Sequence, residues 1–126
     1  MLSFFRSAAL AGFLLFMCSL TVNATELVMV EQRGCPSCRL FNEQLGAVYA
    51  TTRVAQALPL RRVDAWGQWP VDLQDVSRTR FTPVFILVDD GREVGRFHGY
   101  IREGVFWNNL AKLVDRLPAF QSAGHS

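Results

Sequence analysis

Two short runs of uninterrupted apolar residues most constrain how this chain folds: residues 27–30 (LVMV) and residues 84–88 (VFILV). Each has strand length and neither alternates with polar residues, so each needs cover on both faces. Such strands belong in the middle of a sheet. Two segments of mixed polarity, residues 60–65 (LRRVDA) and 93–98 (EVGRFH), suit the edges, where charged side chains reach water. Asp89-Asp90-Gly91-Arg92 reads as a hairpin turn, which makes the third and fourth strands antiparallel. The first strand reaches the second through a helix, which makes that pair parallel. The expectation is an α/β fold: a mixed four-stranded sheet, order 4-3-1-2, with helices on both faces.

The helices are read from spacing. After Cys35-Pro36-Ser37-Cys38, apolar Phe41, Leu45, Val48 and Tyr49 recur at helical intervals. This helix is expected to fade near Thr51 and Thr52, ahead of Pro59. Asp72 is expected to cap a short helical piece running through Val76. A last helix, about residues 102–117, carries Phe106, Leu110, Leu113, Val114 and Leu117 on one face, and Pro118 stops it.

Residues 1–24 hold one charge, Arg6, and an apolar run over residues 8–20, followed by Thr21, Val22, Asn23 and Ala24. A basic start, a short apolar run and small residues before a cut describe a secretory signal peptide, with cleavage expected after Ala24. A retained membrane anchor is the rival reading, although spanning takes about 20 apolar residues. Cys18 follows Phe16 and Met17, where a lipid-attachment site needs small residues, and is expected to leave with the signal. Residues 25–118 then form one domain, and residues 119–126 a flexible tail. Across 126 residues, 13 Lys plus Arg face 11 Asp plus Glu, a net charge of +2. With no basic cluster along the chain, no nucleic-acid partner is expected.

Of three cysteines, the mature chain keeps Cys35 and Cys38. Two cysteines three apart at a helix start can close a disulfide without moving the backbone. The free N–H groups and partial positive charge there favour a thiolate over a thiol. Cys35 is therefore expected to ionise below the usual value of about 8.5 and to attack, with Cys38, one turn inward and buried, resolving. Arg33 and Arg39 either add positive charge or are ordinary solvated arginines. Two rival readings are a structural disulfide and half of a metal site. A metal site needs further ligands, and only His98 and His125 could join. Export places the pair where disulfides persist.

On Cys35-Pro36-Ser37-Cys38, Thr82-Pro83 and the Gly99 region, residues 26–117 resemble the thioredoxin superfamily. The stretches GCPSC, PLRRVDAW, TPVFILVDDGREVGRFHGY and FWNNLAKLV are similar to the small periplasmic, SoxS-type thioredoxins of bacterial sulfur-oxidation clusters. The resemblance implies a three-layer thioredoxin-like sandwich with the third strand antiparallel. It implies a cis peptide bond before Pro83, lying against the cysteine pair. It also implies a substrate site formed by Pro36, Ser37, Thr82 and Pro83, with the Thr82 backbone pairing to an extended segment. The activity implied is that of a periplasmic thiol–disulfide oxidoreductase needing no bound cofactor and no metal. Its client would be a protein with a disulfide or modified cysteine, such as the sulfur-carrier protein of sulfur oxidation. Electrons would come from a membrane thiol transporter, and the protein would be a monomer. The alternative is a periplasmic copper- or zinc-binding module using the same two thiols.

The chain departs from the family pattern at two places. The dipeptide between the cysteines is Pro-Ser, and Met29 stands six residues before Cys35, where thioredoxins hold a buried Asp. Glu31 is a weak candidate to replace that acid. Pro-Ser contains no histidine to stabilise a thiolate strongly, which favours a reductant over an oxidant. Trp66, Trp69 and Tyr100 form either a partner-gripping rim or aromatics packed on the sheet. Phe97 and Tyr100 are candidates to shape the groove beside Pro83. His98 is expected on the surface, and Trp107 partly so.

Overall fold

The computed structural model describes residues 25–118. The expected signal peptide, 1–24, and the expected tail, 119–126, lie outside the described residues. Strands β1 (Thr25–Glu31), β2 (Leu60–Asp64), β3 (Val84–Asp89) and β4 (Arg92–His98) form one sheet in the order β2-β1-β3-β4. This is the expected 4-3-1-2 order. β1 runs parallel to β2, β3 antiparallel to β1, and β4 antiparallel to β3. The all-apolar runs are the two central strands, with every residue from Leu27 to Val30 and from Val84 to Leu87 fully buried. Hydrophobic transfer alone places them there, because an edge would leave one flank in water.

The pleat divides these side chains between two cores. Leu27, Met29, Phe85 and Leu87 face one core, built with Phe41, Leu45, Tyr49 and Phe106. Val28, Val30, Val84 and Ile86 face the other, with Val63, Leu73 and Val76. The first core is covered by helices α1 (Pro36–Phe41), α2 (Ala47–Tyr49) and α4 (Glu103–Val114). Its centre is aromatic: Phe41, Phe85 and Phe106 have ring centroids 5.0–5.5 Å apart. The second core is covered by the β2–β3 connection, which contains a single 3₁₀ turn (Val71–Leu73) in place of a full helix. That cover is thin because Ala65, Trp69, Leu73 and Val76 are the apolar side chains it contributes.

Helix boundaries differ from the sequence expectation in four places. The redox helix is interrupted by a wide π turn, Asn42–Gly46, between α1 and α2. There, the guanidinium of Arg62 lies 3.2 Å from where a Cβ on Gly46 would stand, so the glycine leaves room for it. Thr52 does not merely end a helix. Its hydroxyl accepts the Ala55 N–H at 3.2 Å and starts α3 (Arg53–Ala57). Asp72 lies inside the 3₁₀ turn and caps nothing; its carboxylate takes both guanidinium N–H groups of Arg61 at 2.6 and 2.9 Å. α4 ends at Val114, because Arg116 and Leu117 bond the carbonyls three residues back and tighten the chain before Pro118. The hairpin is as expected, with Asp90 at φ 51° and Gly91 at φ 75° supplying the two left-handed positions of a two-residue turn.

Candidate functional site

β1 ends at Glu31, and a turn through Gly34, at φ 74°, delivers the chain to Cys35. Cys35 is the N-cap of α1, with extended backbone, and Pro36 occupies the first helical turn. Proline suits that place because its missing N–H would have had no intrahelical partner. Capping is usually done by an oxygen. Here the Cys35 Sγ does it, accepting the Cys38 N–H at 3.1 Å. The two cysteines are joined in a disulfide with Cα atoms 5.2 Å apart. Cys38 is 3% exposed and Cys35 7%. The order is the expected one, but in this oxidised form the outer sulfur is nearly as covered as the inner. Pro36 is exposed and Ser37 half-buried beside them.

The Thr82–Pro83 peptide bond is cis. It lies one residue beyond the last β1–β3 pair, Val30 with Val84, at the end of the sheet where β1 hands over to the cysteine turn. The Pro83 carbonyl accepts the Gly99 N–H at 2.7 Å, and Gly99, at φ 81°, turns the chain out of β4. The Thr82 backbone carries no hydrogen bond among the described residues. Tyr100 next packs its ring edge-on against Phe41, centroids 5.3 Å apart, and its hydroxyl donates to Gln44 at 2.9 Å. Burial and the Glu103 carboxylate raise the Tyr100 phenol above its ordinary value. The loops after β1, β2 and β4 and the loop before β3 therefore share one end of the sheet with the disulfide.

Met29 is fully buried in the helix-side core, so an apolar thioether occupies the place expected for an acid. The nearest substitute is two residues on. Glu31 lines, with Cys35, Cys38, Arg39 and Asn42, a shallow cavity of about 290 Å³. Arg62 holds it there through a 2.7 Å ion pair. The strand period supplied the signal, since Met29 and Glu31 share a face. The sequence alone did not show that Arg62 would anchor the carboxylate. Arg33 and Arg39 are exposed.

Of the three aromatics considered for a rim, only Trp66 remains exposed. Trp69 donates its indole N–H to the Leu73 carbonyl at 2.8 Å and packs on the second core, and Tyr100 is buried. Phe97 stacks on Phe85, centroids 5.1 Å apart, and so supports the core beneath Pro83 rather than the groove itself. His98 is exposed, edge-on to Phe81 at 5.6 Å. Trp107 is half-buried, stacked on Tyr49 at 5.8 Å. Among the described residues, no three His, Cys, Asp or Glu side chains are grouped to hold a metal ion.

A capping cysteine disulfide, a cis-proline loop beside it and a β2-β1-β3-β4 sheet together define a class, and a model of the thioredoxin-like domain matches residues 23–113. The chain belongs to the thioredoxin-like family. Within it, the chain is similar to the periplasmic thioredoxin SoxS from Paracoccus pantotrophus. The crystal structure of that protein's reduced form aligns with a TM-score of 0.69 and 33% identity, covering 73% of this chain and 97% of that one. Among curated protein sequences none matches significantly. A thioredoxin-like domain with a vicinal cysteine pair points to thiol–disulfide redox chemistry.

Proposed function

We propose that this protein is a periplasmic thiol–disulfide oxidoreductase that reduces disulfides in client proteins. The observation that carries the reading is the Cys35 Sγ at a helix N-cap, accepting the Cys38 N–H at 3.1 Å. A hydrogen bond to sulfur and the helix dipole both favour the thiolate form, the nucleophile of disulfide exchange. In the reduced protein, the Cys35 thiolate attacks one client sulfur. A mixed disulfide forms and the first client thiolate leaves, taking a proton from water. The Cys38 thiol gives its proton to Glu31 and attacks the Cys35 sulfur. That closes the Cys35–Cys38 bond and releases the second client thiolate, which is protonated in turn. Two electrons pass from the protein to the client.

Thr82 and Pro83 hold the client segment alongside, with the unpaired Thr82 backbone as its hydrogen-bonding edge. Pro36 and Ser37 form the near wall. The likeness to a periplasmic SoxS supports export and a role in sulfur oxidation. There the client would be the sulfur-carrier protein, kept in its thiol form, and a membrane thiol transporter would re-reduce the pair. The test is insulin reduction with two variants. Cys35→Ser abolishes turnover, and Cys38→Ser accumulates a mixed disulfide that dithiothreitol releases. Undiminished turnover by Cys35→Ser refutes the assignment.

A further inference from the structure

The redox end of the sheet carries an exposed tryptophan that is held still. Trp66 follows β2 and is 61% exposed. Its indole N–H donates to the Gln32 side chain, three residues before Cys35. The Arg80 guanidinium lies over its ring, 4.6 Å from the centroid. Arg78 ties the same loop down, donating to the Ala65 and Gly67 carbonyls at 3.2 and 2.6 Å. The Trp66 backbone N–H bonds Asp64 at 2.9 Å. Two other large apolar side chains are exposed at this end: Phe81, 62%, just before Thr82, and Ile101, 71%, just after Tyr100. Strand registers bring all three to the end where Cys35 sits. An aromatic already fixed in place loses little freedom when a partner covers it, so its burial contributes strongly to binding.

Charge at this end is one-sided. Arg33, Arg39, Arg78, Arg80 and Arg102 are exposed, and none of them is in an ion pair among the described residues. Glu31 and Arg62 neutralise each other. Two acids beside these loops are engaged, Asp64 by the Trp66 N–H and Glu103 by the Trp107 indole at 3.1 Å, and exposed Glu43 lies one helical turn beyond Arg39.

We infer that this face selects its client: a polypeptide segment whose reacting cysteine is flanked by acidic and bulky apolar side chains. The inference rests on the thiol–disulfide reading of the same site. The apolar neighbour covers Trp66 and Phe81, while the acids meet the surrounding arginines and steer the encounter. A lysine-flanked segment meets like charge.

The experiment uses three peptides, each with one cysteine disulfide-linked to the same fluorescent thiol. Their cysteine flanks are Glu and Trp, Ser and Ser, or Lys and Ser. Second-order rates of release by the reduced protein are compared in low and high salt. The Glu/Trp peptide is expected to react about fivefold faster than the Lys peptide in low salt, the size of one good exposed ion pair. The gap narrows at about 0.5 M salt as screening sets in. Trp66→Ala and Arg80→Gln each reduce the preference to about twofold or less; Arg80→Gln keeps the test readable if Trp66→Ala fails to fold. Equal rates on all three peptides overturn the client assignment alone. Tighter binding to anionic phospholipid vesicles than to the Glu/Trp peptide overturns it in favour of a membrane surface. Failure to reduce any of the peptides overturns the redox reading itself.

Discussion

Tyr49 offers a quantitative test of how the redox helix is tied to the rest of the fold. It lies at the end of α2, 1% exposed, and its hydroxyl donates to the Leu58 carbonyl at 2.6 Å. That bond joins the redox helix to the segment that feeds β2. Burial pushes the phenol up to about 12. The unfolded chain ionises near 10. A phenol that holds its proton in the folded state up to higher pH contributes stability fully present below pH 10 and lost as pH rises towards 12. At about 1.4 kcal/mol per unit, the loss is roughly 2–3 kcal/mol.

Tyr49→Phe cannot undergo that loss. At pH 8 it has instead lost one hydrogen bond and left the Leu58 carbonyl unpaired, costing about 1–2 kcal/mol. The two stability curves should therefore converge, or cross, between pH 10 and 12. Urea unfolding followed by tryptophan emission reports this, since Trp107 stacks on Tyr49. Parallel curves from pH 8 to pH 12 would refute the reasoning, because Tyr49 would then ionise alike in both states.

Three further outcomes can be checked. Glu31→Gln should leave the first attack intact but slow closure of the Cys35–Cys38 bond about a hundredfold, the modest end of what a positioned proton acceptor contributes; quenched-flow trapping shows the mixed disulfide persisting, and an unchanged closure rate would remove Glu31 from the scheme. Gly95→Ala places a Cβ 2.6 Å from Leu113 Cδ2 and 2.9 Å from Arg116 Nη1. Leu113 is buried and cannot freely retreat, so calorimetry should record a loss of about 1–2 kcal/mol from overpacking. The Arg61 guanidinium beside Asp72 holds its carboxyl below the ordinary range. That contribution is present above the unfolded carboxyl value and lost as pH falls through the folded one. Because Asp72 lies in solvent, Asp72→Asn should change neutral-pH unfolding by less than about 0.5 kcal/mol and only slightly flatten the acid limb.

Much of the sheet was readable along the chain because its signals are local. The runs at residues 27–30 and 84–88 mark the central strands by lacking polar residues, and Asp90-Gly91 marks the hairpin by its need for left-handed backbone. Cys35, Pro36 and Cys38 announce a capped helix and a closable pair within four positions. The helix interior was harder to read. Phe41, Leu45, Val48 and Tyr49 keep helical spacing, yet the wide turn at Asn42–Gly46 accommodates Arg62, a residue from another strand. Asp72 looks like a cap by type, but its carboxylate is taken by Arg61, eleven residues away. Sequence leaves the choice between an exposed rim and packed aromatics open for a related reason. Trp69 and Tyr100 found buried partners, whereas Phe81 and Ile101 give no sign in sequence that they stay in water.

The order of the strands and the capped, closable cysteine pair were thus set by the amino-acid sequence alone, since polarity, turn preference and helix capping act over a few neighbouring residues. Glu31 sharing a cavity with Cys38, Arg80 across Trp66 and five arginines gathered at one end were decided only by the packed structure. Those groups lie in segments far apart along the chain, and they meet because burying the two central strands leaves their loops one end of the sheet to share.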